Sequence, residues 1–294
     1  MLYFILTLLI FSSMEVVSKP LMGVIDPFVL TFWRFAAGSL FFLFLPGMKN
    51  RFREVAKFNK WNWFSVFMLG LLNTFLAMSF LQVAVKQSSA STAATIFCSN
   101  PGFVFLFSVI MGYEKMKLAK TAGLILGIAG IVIIMSDRGI VLGYGMIYAV
   151  FAAIFFAVYT LLSKKSVQGI SPSTINMTAF PLGVIANGIF ITLMGKDLIP
   201  DWMLFQDTGT VFSLLYLGLI VTGAGYITFF ETIKRFTAVS VSLIFMFKPA
   251  VTLLMAFIFL NERVAVTFYA GLFAVCSGTL LIVRDKINNL RFFS

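Results

Sequence analysis

Of the 294 residues, 60% are hydrophobic and only 11% are charged; the net charge is +11 and the mean hydropathy +1.01. A soluble domain carries roughly 25% charged residues, so a water-soluble fold of this length could not cover its apolar surface, and a polytopic α-helical membrane protein is indicated. Histidine is absent, and both cysteines, Cys98 and Cys276, lie inside apolar runs, so no metal site, disulfide framework or ordinary general base is expected.

Apolar runs of span length follow one another near 2–20, 27–46, 62–83, 90–111, 118–136, 141–163, 172–194, 209–232, 238–260 and 266–283. The first begins at Met1 with no basic leader and no small-residue cleavage site behind it, and is read as a retained span. Turn and breaker signals separate the runs, among them Asp26-Pro27, Pro46-Gly47, Asp137-Arg138-Gly139 and Ser171-Pro172. Lipid leaves the backbone no hydrogen-bond partner but itself, and the runs lack the alternation of a membrane barrel, so all ten are predicted helices.

Loop charge predicts orientation. One side receives Lys49, Arg51, Arg53, Lys57, Lys60, Lys115, Lys117, Lys120, Lys164, Lys165, Lys234, Arg235, Arg284, Lys286 and Arg291. The other receives only Lys19, Lys86, Arg138, Lys196 and Arg263. Fifteen against five is a strong positive-inside bias, so both termini are expected in the cytoplasm of a multi-pass cell-membrane protein. The same distribution argues against nucleic acid as a partner, because the cations sit between apolar runs and not along one helix face.

The chain also resembles itself. Shifted by 148 positions, segment 70–135 overlays 218–283: Gly70 meets Gly218, Lys86 meets Lys234, Pro101 meets Pro249, Glu114 meets Glu262, Gly123 meets Gly271 and Gly130 meets Gly278. About sixteen of sixty-six positions are identical. The first two spans match at a shift of 145, where Ser18-Lys19 meets Ser163-Lys164 and Pro27 meets Pro172. Shared apolar bias explains paired Leu or Phe, but not Pro, Glu, Lys and Gly in register. Five spans per copy is an odd number, so the second copy should be inverted in the membrane, the arrangement that underlies alternating access. The predicted fold is therefore all-α, with ten transmembrane helices as two inverted five-helix repeats, residues 1–137 and 138–294.

With its two repeats, its proline in the fourth and ninth spans, and an apolar run closed by glutamate in each half (Gly112-Tyr113-Glu114 and Leu260-Asn261-Glu262), the chain resembles the drug/metabolite transporter superfamily, EamA type. The arginine within Phe32-Trp33-Arg34-Phe35 is similar to the family pattern too, although its repeat mate is Ala179. The resemblance implies secondary transport of a small metabolite, an amino acid or related amphiphilic solute, often outward, through a cavity between the repeats.

Charges well inside spans are few: Glu15, Arg34 and Lys248. Each costs roughly 2.5–3.5 kcal/mol or more at a span centre, so each should face the bundle interior. Lys248 and its repeat mate Asn100 each precede a proline; Pro101 and Pro249 free the carbonyls of Phe97 and Phe245. Asn100 and Lys248 are therefore expected to line the substrate site, the alternative being a helix kink and a structural partner for a carboxylate. Glu15 could pair with Arg34 or with Lys248. It is also the candidate for proton coupling, against a fixed ion pair. Asn73, Tyr226 and Thr160, the repeat mate of Glu15, are further polar candidates, or helix–helix glue. The small-residue stretch Ser88 to Thr95 is expected to let spans three and four pack closely. The 36 phenylalanines are assigned mostly to lipid and packing, with a minority lining an aromatic cavity.

A secondary transporter is the leading function, with a small-molecule solute and membrane lipid as partners and no cofactor. A lipid-linked carrier or flippase is the second reading. An intramembrane enzyme is disfavoured by the missing histidine and scarce carboxylates. The Gly-rich segments lack the Gly-Lys-Ser/Thr ending of a nucleotide loop.

Overall fold

A computed structural model describes residues 2–113, 115–136, 144–166, 170–199, 206–235 and 238–288, and every regular element among them is helical. Helix α1 spans Leu2–Leu21 and α2 spans Pro27–Phe44. Pro27 sits in the first turn of α2, where its missing N–H costs nothing, and the Asp26 side chain accepts from Phe28 N at 2.9 Å. A short helix α3 (Met48–Val55) follows Gly47, whose φ of 87° suits glycine. Arg51 on α3 is buried and donates to the carbonyls of Pro46 (2.9 Å), Leu45 (2.7 Å) and Phe42 (3.1 Å), closing the C-terminus of α2.

The third run is one rod, Lys60–Gln87, made of α4 (Lys60–Gly70), a π-helical stretch π1 (Leu71–Ala77) and α5 (Met78–Gln87). The fourth run breaks into α6 (Ala90–Phe97) and α7 (Asn100–Ile110). Then come α8 (Leu118–Ser136), α9 (Tyr144–Ser166) and α10 (Pro172–Leu193). The eighth run comprises α11 (Thr208–Leu215), a second π stretch π2 (Tyr216–Ala224) and α12 (Gly225–Arg235). Helices α13 (Ala238–Leu260) and α14 (Val266–Asn288) complete the chain. Among the described residues, seven helical segments are long and apolar enough to cross a bilayer, and three more hold shorter apolar stretches, Leu118–Ile134, Phe247–Leu260 and Val266–Ile282. Large apolar side chains such as Leu40, Ile125, Val132, Phe257 and Phe273 point outward, a surface suited to lipid.

Glycine sets the closest helix crossings. A Cβ on Gly70 would stand 2.1 Å from the Ala179 carbonyl oxygen, and one on Gly183 would stand 2.4 Å from the Gly70 oxygen. Only hydrogen side chains permit α4 and α10 to touch there. At the repeat spacings these residues correspond to Gly218 and Gly38, and there π2 crosses α2: a Cβ on Gly38 would lie 2.6 Å from Thr222 Cγ2. Helices α8 and α14 meet the same way. A Cβ on Gly123 would lie 2.6 Å from the Gly278 oxygen, and one on Gly130 would lie 2.7 Å from the Gly271 oxygen. Rising numbers meet falling ones, so α8 and α14 run antiparallel. The small stretch Ser88 to Thr95 is buried, but α6 lies mainly against α9 and α13 rather than against the third run. The reason is the turn at Ser88-Ser89, which carries α6 away from α5.

Charged side chains fix that turn. Lys19 Nζ donates to Val85 O at 2.8 Å and to Ser88 O, at the C-terminal end of α5. Glu262 accepts from Ala90 N (2.9 Å), Ser91 N (3.3 Å) and Ser91 Oγ (3.0 Å), at the N-terminus of α6. Each charge has the sign its helix end favours. Glu54 serves α10 likewise, accepting from Ser171 N at 3.1 Å and Ser171 Oγ at 2.9 Å. Partial burial pushes the Glu54 carboxyl up, but hydrogen bonds from Thr174 and Ser171 and the nearby Lys57 outweigh it and hold the pKa below its usual value. Glu114 and Arg138 lie outside the described residues.

Candidate functional site

Helices α1 and α13 pack antiparallel through polar contacts. Thr252 Oγ1 donates to Ser12 O at 3.1 Å, and one turn along Lys248 Nζ donates to Glu15 Oε1 at 2.6 Å. The ion pair is sealed: the Lys248 side chain is 3% exposed and that of Glu15 0%. Lys248 lies ten residues beyond Ala238, the start of α13, far from either helix end. Its ammonium also stands 5.2 Å from the ring centre of Phe97, a cation–π contact. Of the two pairings open to Glu15, the structure takes Lys248. Its second oxygen, Oε2, has no hydrogen-bond partner among the described residues.

Arg34 of α2 is equally buried, at 1% exposure, and holds no salt bridge among the described residues. Nη1 donates to the Met14 thioether at 2.9 Å, a weak acceptor, and Nε has no partner. The guanidinium carbon lies 4.7 Å from the centre of the Phe35 ring.

Arg34 and Lys248 face a chamber between the helices. Its walls are Phe11 and Met14 from α1, Met78 from α5, Phe97 from α6, Phe156 from α9, Val221 and Tyr226 from π2 and α12, and Phe245 from α13. None of these is more than 9% exposed, so the chamber lies deep among the helices. Six walls are repeat mates: Phe11 with Phe156, Phe97 with Phe245, and Met78 with Tyr226. The rings touch edge to face or tilted, with Phe97–Phe156 at 5.1 Å, Phe156–Phe245 at 5.7 Å and Phe11–Tyr226 at 5.5 Å. Another space, between α7, α8 and α14, is lined by apolar and small residues without charge and offers no chemistry.

The remaining sequence candidates fall in different places. Tyr226 lines the chamber. Asn73 stands behind it on π1, with Nδ2 donating to Tyr226 Oη at 2.9 Å and Oδ1 accepting at 3.1 Å, and so positions the phenol. Asn100 is buried but does not line the chamber; its Nδ2 donates to Phe97 O at 3.1 Å, the carbonyl that Pro101 leaves without its helical donor. The amide repairs the backbone break, while α13 runs on through Pro249. Thr160 is half-buried outside the chamber and donates to Phe156 O at 2.8 Å, as a helical threonine commonly does. The sequence pointed to an aromatic cavity but not to which phenylalanines line it, because 36 of them dilute any one. A usable signal existed: Phe97 and Phe245 are identical at the repeat spacing, three residues before Asn100 and Lys248.

Comparisons with known proteins agree on one class. The model of the EamA-like transporter family matches residues 1–136 and again 143–284. An uncharacterized transporter of Clostridium kluyveri is 28% identical, the match covering 98% of this chain and 95% of that protein. One from Archaeoglobus fulgidus is 25% identical over 89% and 90% of the two chains. YxxF of Bacillus subtilis, also an uncharacterized transporter, is 25% identical over 96% and 89%. A solved crystal structure matches 97% of both chains with a TM-score of 0.68 at 18% identity, a likeness of fold.

Proposed function

The chain belongs to the EamA-like transporter family, and from that premise we propose that it is a secondary transporter, moving a small amphiphilic metabolite outward across the cell membrane by alternating access. In this reading ten helices cross the bilayer with both termini in the cytoplasm, and residues 1–137 and 138–294 are inverted copies. Two observations support the inversion. Helices α8 and α14, repeat mates, run antiparallel where Gly123 meets Gly278 and Gly130 meets Gly271. The α4–α10 crossing at Gly70 and Gly183 recurs as the π2–α2 crossing at Gly218 and Gly38. Such mates exchange places when the machine changes state.

The observation that carries the proposal is the buried chamber with walls from both halves and two buried cations, one from each half. A polar site deep in the bundle, shared by the two halves, is what alternating access requires. Arg34, Lys248 and Tyr226 contact the solute in this reading. Glu15, hydrogen-bonded to Lys248, takes the coupling proton, and Asn73 positions Tyr226; Asn100 and Thr160 serve through the Phe97 and Phe156 segments they brace.

The test is uptake of a metabolite panel by proteoliposomes, with and without a pH gradient. Wild type moves at least one solute, Lys248→Ala moves it at a small fraction of that rate while still folding, and Glu15→Gln loses the response to the gradient. A folded Lys248→Ala protein transporting at the wild-type rate sinks the site assignment. Full gradient dependence in Glu15→Gln removes the coupling role.

A further inference from the structure

Resting on the transporter reading, we propose that the chamber selects a monoanionic solute, an aromatic or similarly apolar carboxylate, whose carboxylate docks on Arg34. The polar side chains at the chamber wall are two cations, Arg34 and Lys248, and one phenol, Tyr226. Among the described residues no carboxylate lines it; Glu15 stands behind Lys248 and is bonded to it at 2.6 Å. Counting all three ionised groups, the site holds one positive charge in excess. A buried guanidinium is permanently charged, and leaving it without an anion is costly. Here it has only a thioether for Nη1 and nothing for Nε, although the protein seals it from water.

An arriving carboxylate would supply the missing acceptor through a charge-assisted hydrogen bond. A cationic solute would meet two buried like charges with no acid at the wall to offset them. A zwitterion would bring the anchor but place its ammonium near Lys248. The rest of the wall fits a ring: Phe11, Phe97, Phe156 and Phe245 offer edges and faces, and Met78 adds a polarisable contact.

Four probes that share a phenylpropyl frame and differ only in charge test this: 3-phenylpropanoate, phenylalanine, 3-phenylpropylamine and 3-phenylpropanol. Binding to the purified full-length protein is read by thermal stabilisation in detergent, and flux by counterflow in proteoliposomes. 3-Phenylpropanoate is expected to stabilise the wild type most, and the amine not at all. Arg34→Gln should weaken the acid at least about tenfold, the scale of a lost charge-assisted hydrogen bond, and leave the alcohol unchanged. The charge series on the wild type stands even if that variant does not fold. Strongest binding by phenylalanine, the amine or the alcohol overturns the proposal, as does a failure of all four to bind. Acid that binds in an Arg34-dependent way but never crosses the vesicle wall keeps the anion site and refutes transport. Counterflow of the amine or alcohol, untouched by Arg34→Gln, keeps transport and refutes the anion site.

Discussion

Replacing Lys248 by methionine keeps its length and removes its charge. Glu15 would then lie 0% exposed with Oε1 stripped of its 2.6 Å donor and Oε2 already without a partner. Breaking a buried ion pair from one side costs about 3–5 kcal/mol, chiefly because the surviving charge has neither water nor counterion. The complete loss of partners at Glu15 points to the upper part of that range. Glu15→Gln removes the counter-charge of Lys248 but leaves an amide oxygen to accept from it, and the ammonium keeps the Phe97 ring at 5.2 Å, so this variant should suffer somewhat less. With both changes neither charge of the pair remains, and uncharged replacement of such pairs is often neutral. The double variant should therefore be more stable than either single one, with a coupling energy of about 3 kcal/mol. Reversible unfolding in mixed micelles, across the four proteins of the cycle, measures it. Single variants that each cost less than about 1 kcal/mol, or costs that simply add, would refute the reading of a sealed pair.

Gly278→Ala would put a Cβ 2.5 Å from the Gly123 oxygen and should cost about 1–3 kcal/mol by overpacking, whereas Gly127→Ala, with nothing within 4 Å, should be near neutral; unfolding midpoints of the two decide it. Tyr226→Phe leaves the Asn73 amide buried without its phenol partner, for about 1–3 kcal/mol, and adding Asn73→Leu should recover part of that loss in the same assay. Glu54 has a pKa lowered in the folded protein from its usual 4.5, so its contribution is complete above pH 4.5 and fades as pH falls through the lower folded value. Wild type should thus be more stable than Glu54→Gln near neutral pH, with the two curves converging in acid; a constant gap down to pH 3 (about one unit below the free carboxyl) would contradict the capping role.

The helices were legible because their cause is local. Among the described residues the apolar runs are helical, the fourth breaking in two at Cys98-Ser99, and Asp26-Pro27 and Ser171-Pro172 both stand at helix starts. The glycines stood out only as repeat mates; that Gly70 meets Gly183 and Gly123 meets Gly278 is set by helix packing rather than by sequence spacing. Lys248, Arg34 and Glu15 could be picked out as interior charges by their cost in hydrocarbon, but which carboxylate met which cation depended on the α1–α13 register, which no spacing encodes. Asn100 was misplaced for an instructive reason. A polar residue before a proline can serve a ligand or the carbonyl the proline has freed, and the sequence is the same in both cases. Glu262 and Lys19 were read as a motif end and a loop charge; their work at the Ser88-Ser89 turn comes from residues 171 and 69 positions away in the chain.

Of the chamber walls, the four phenylalanines pair at the repeat spacings and the charged residues do not: Arg34 faces alanine at its equivalent position and Lys248 faces asparagine. In a duplicated carrier the shared rings let either half play either role at nearly equal energy, like two identical hinges on one door. The unpaired cations remove that degeneracy. On the alternating-access reading proposed above, a conformation that exposes Arg34 and Lys248 to water is cheaper when the site holds no anion, and an anion on Arg34 favours the closed one. Vectorial behaviour, in such a machine, is written in the few positions where the two copies have stopped matching.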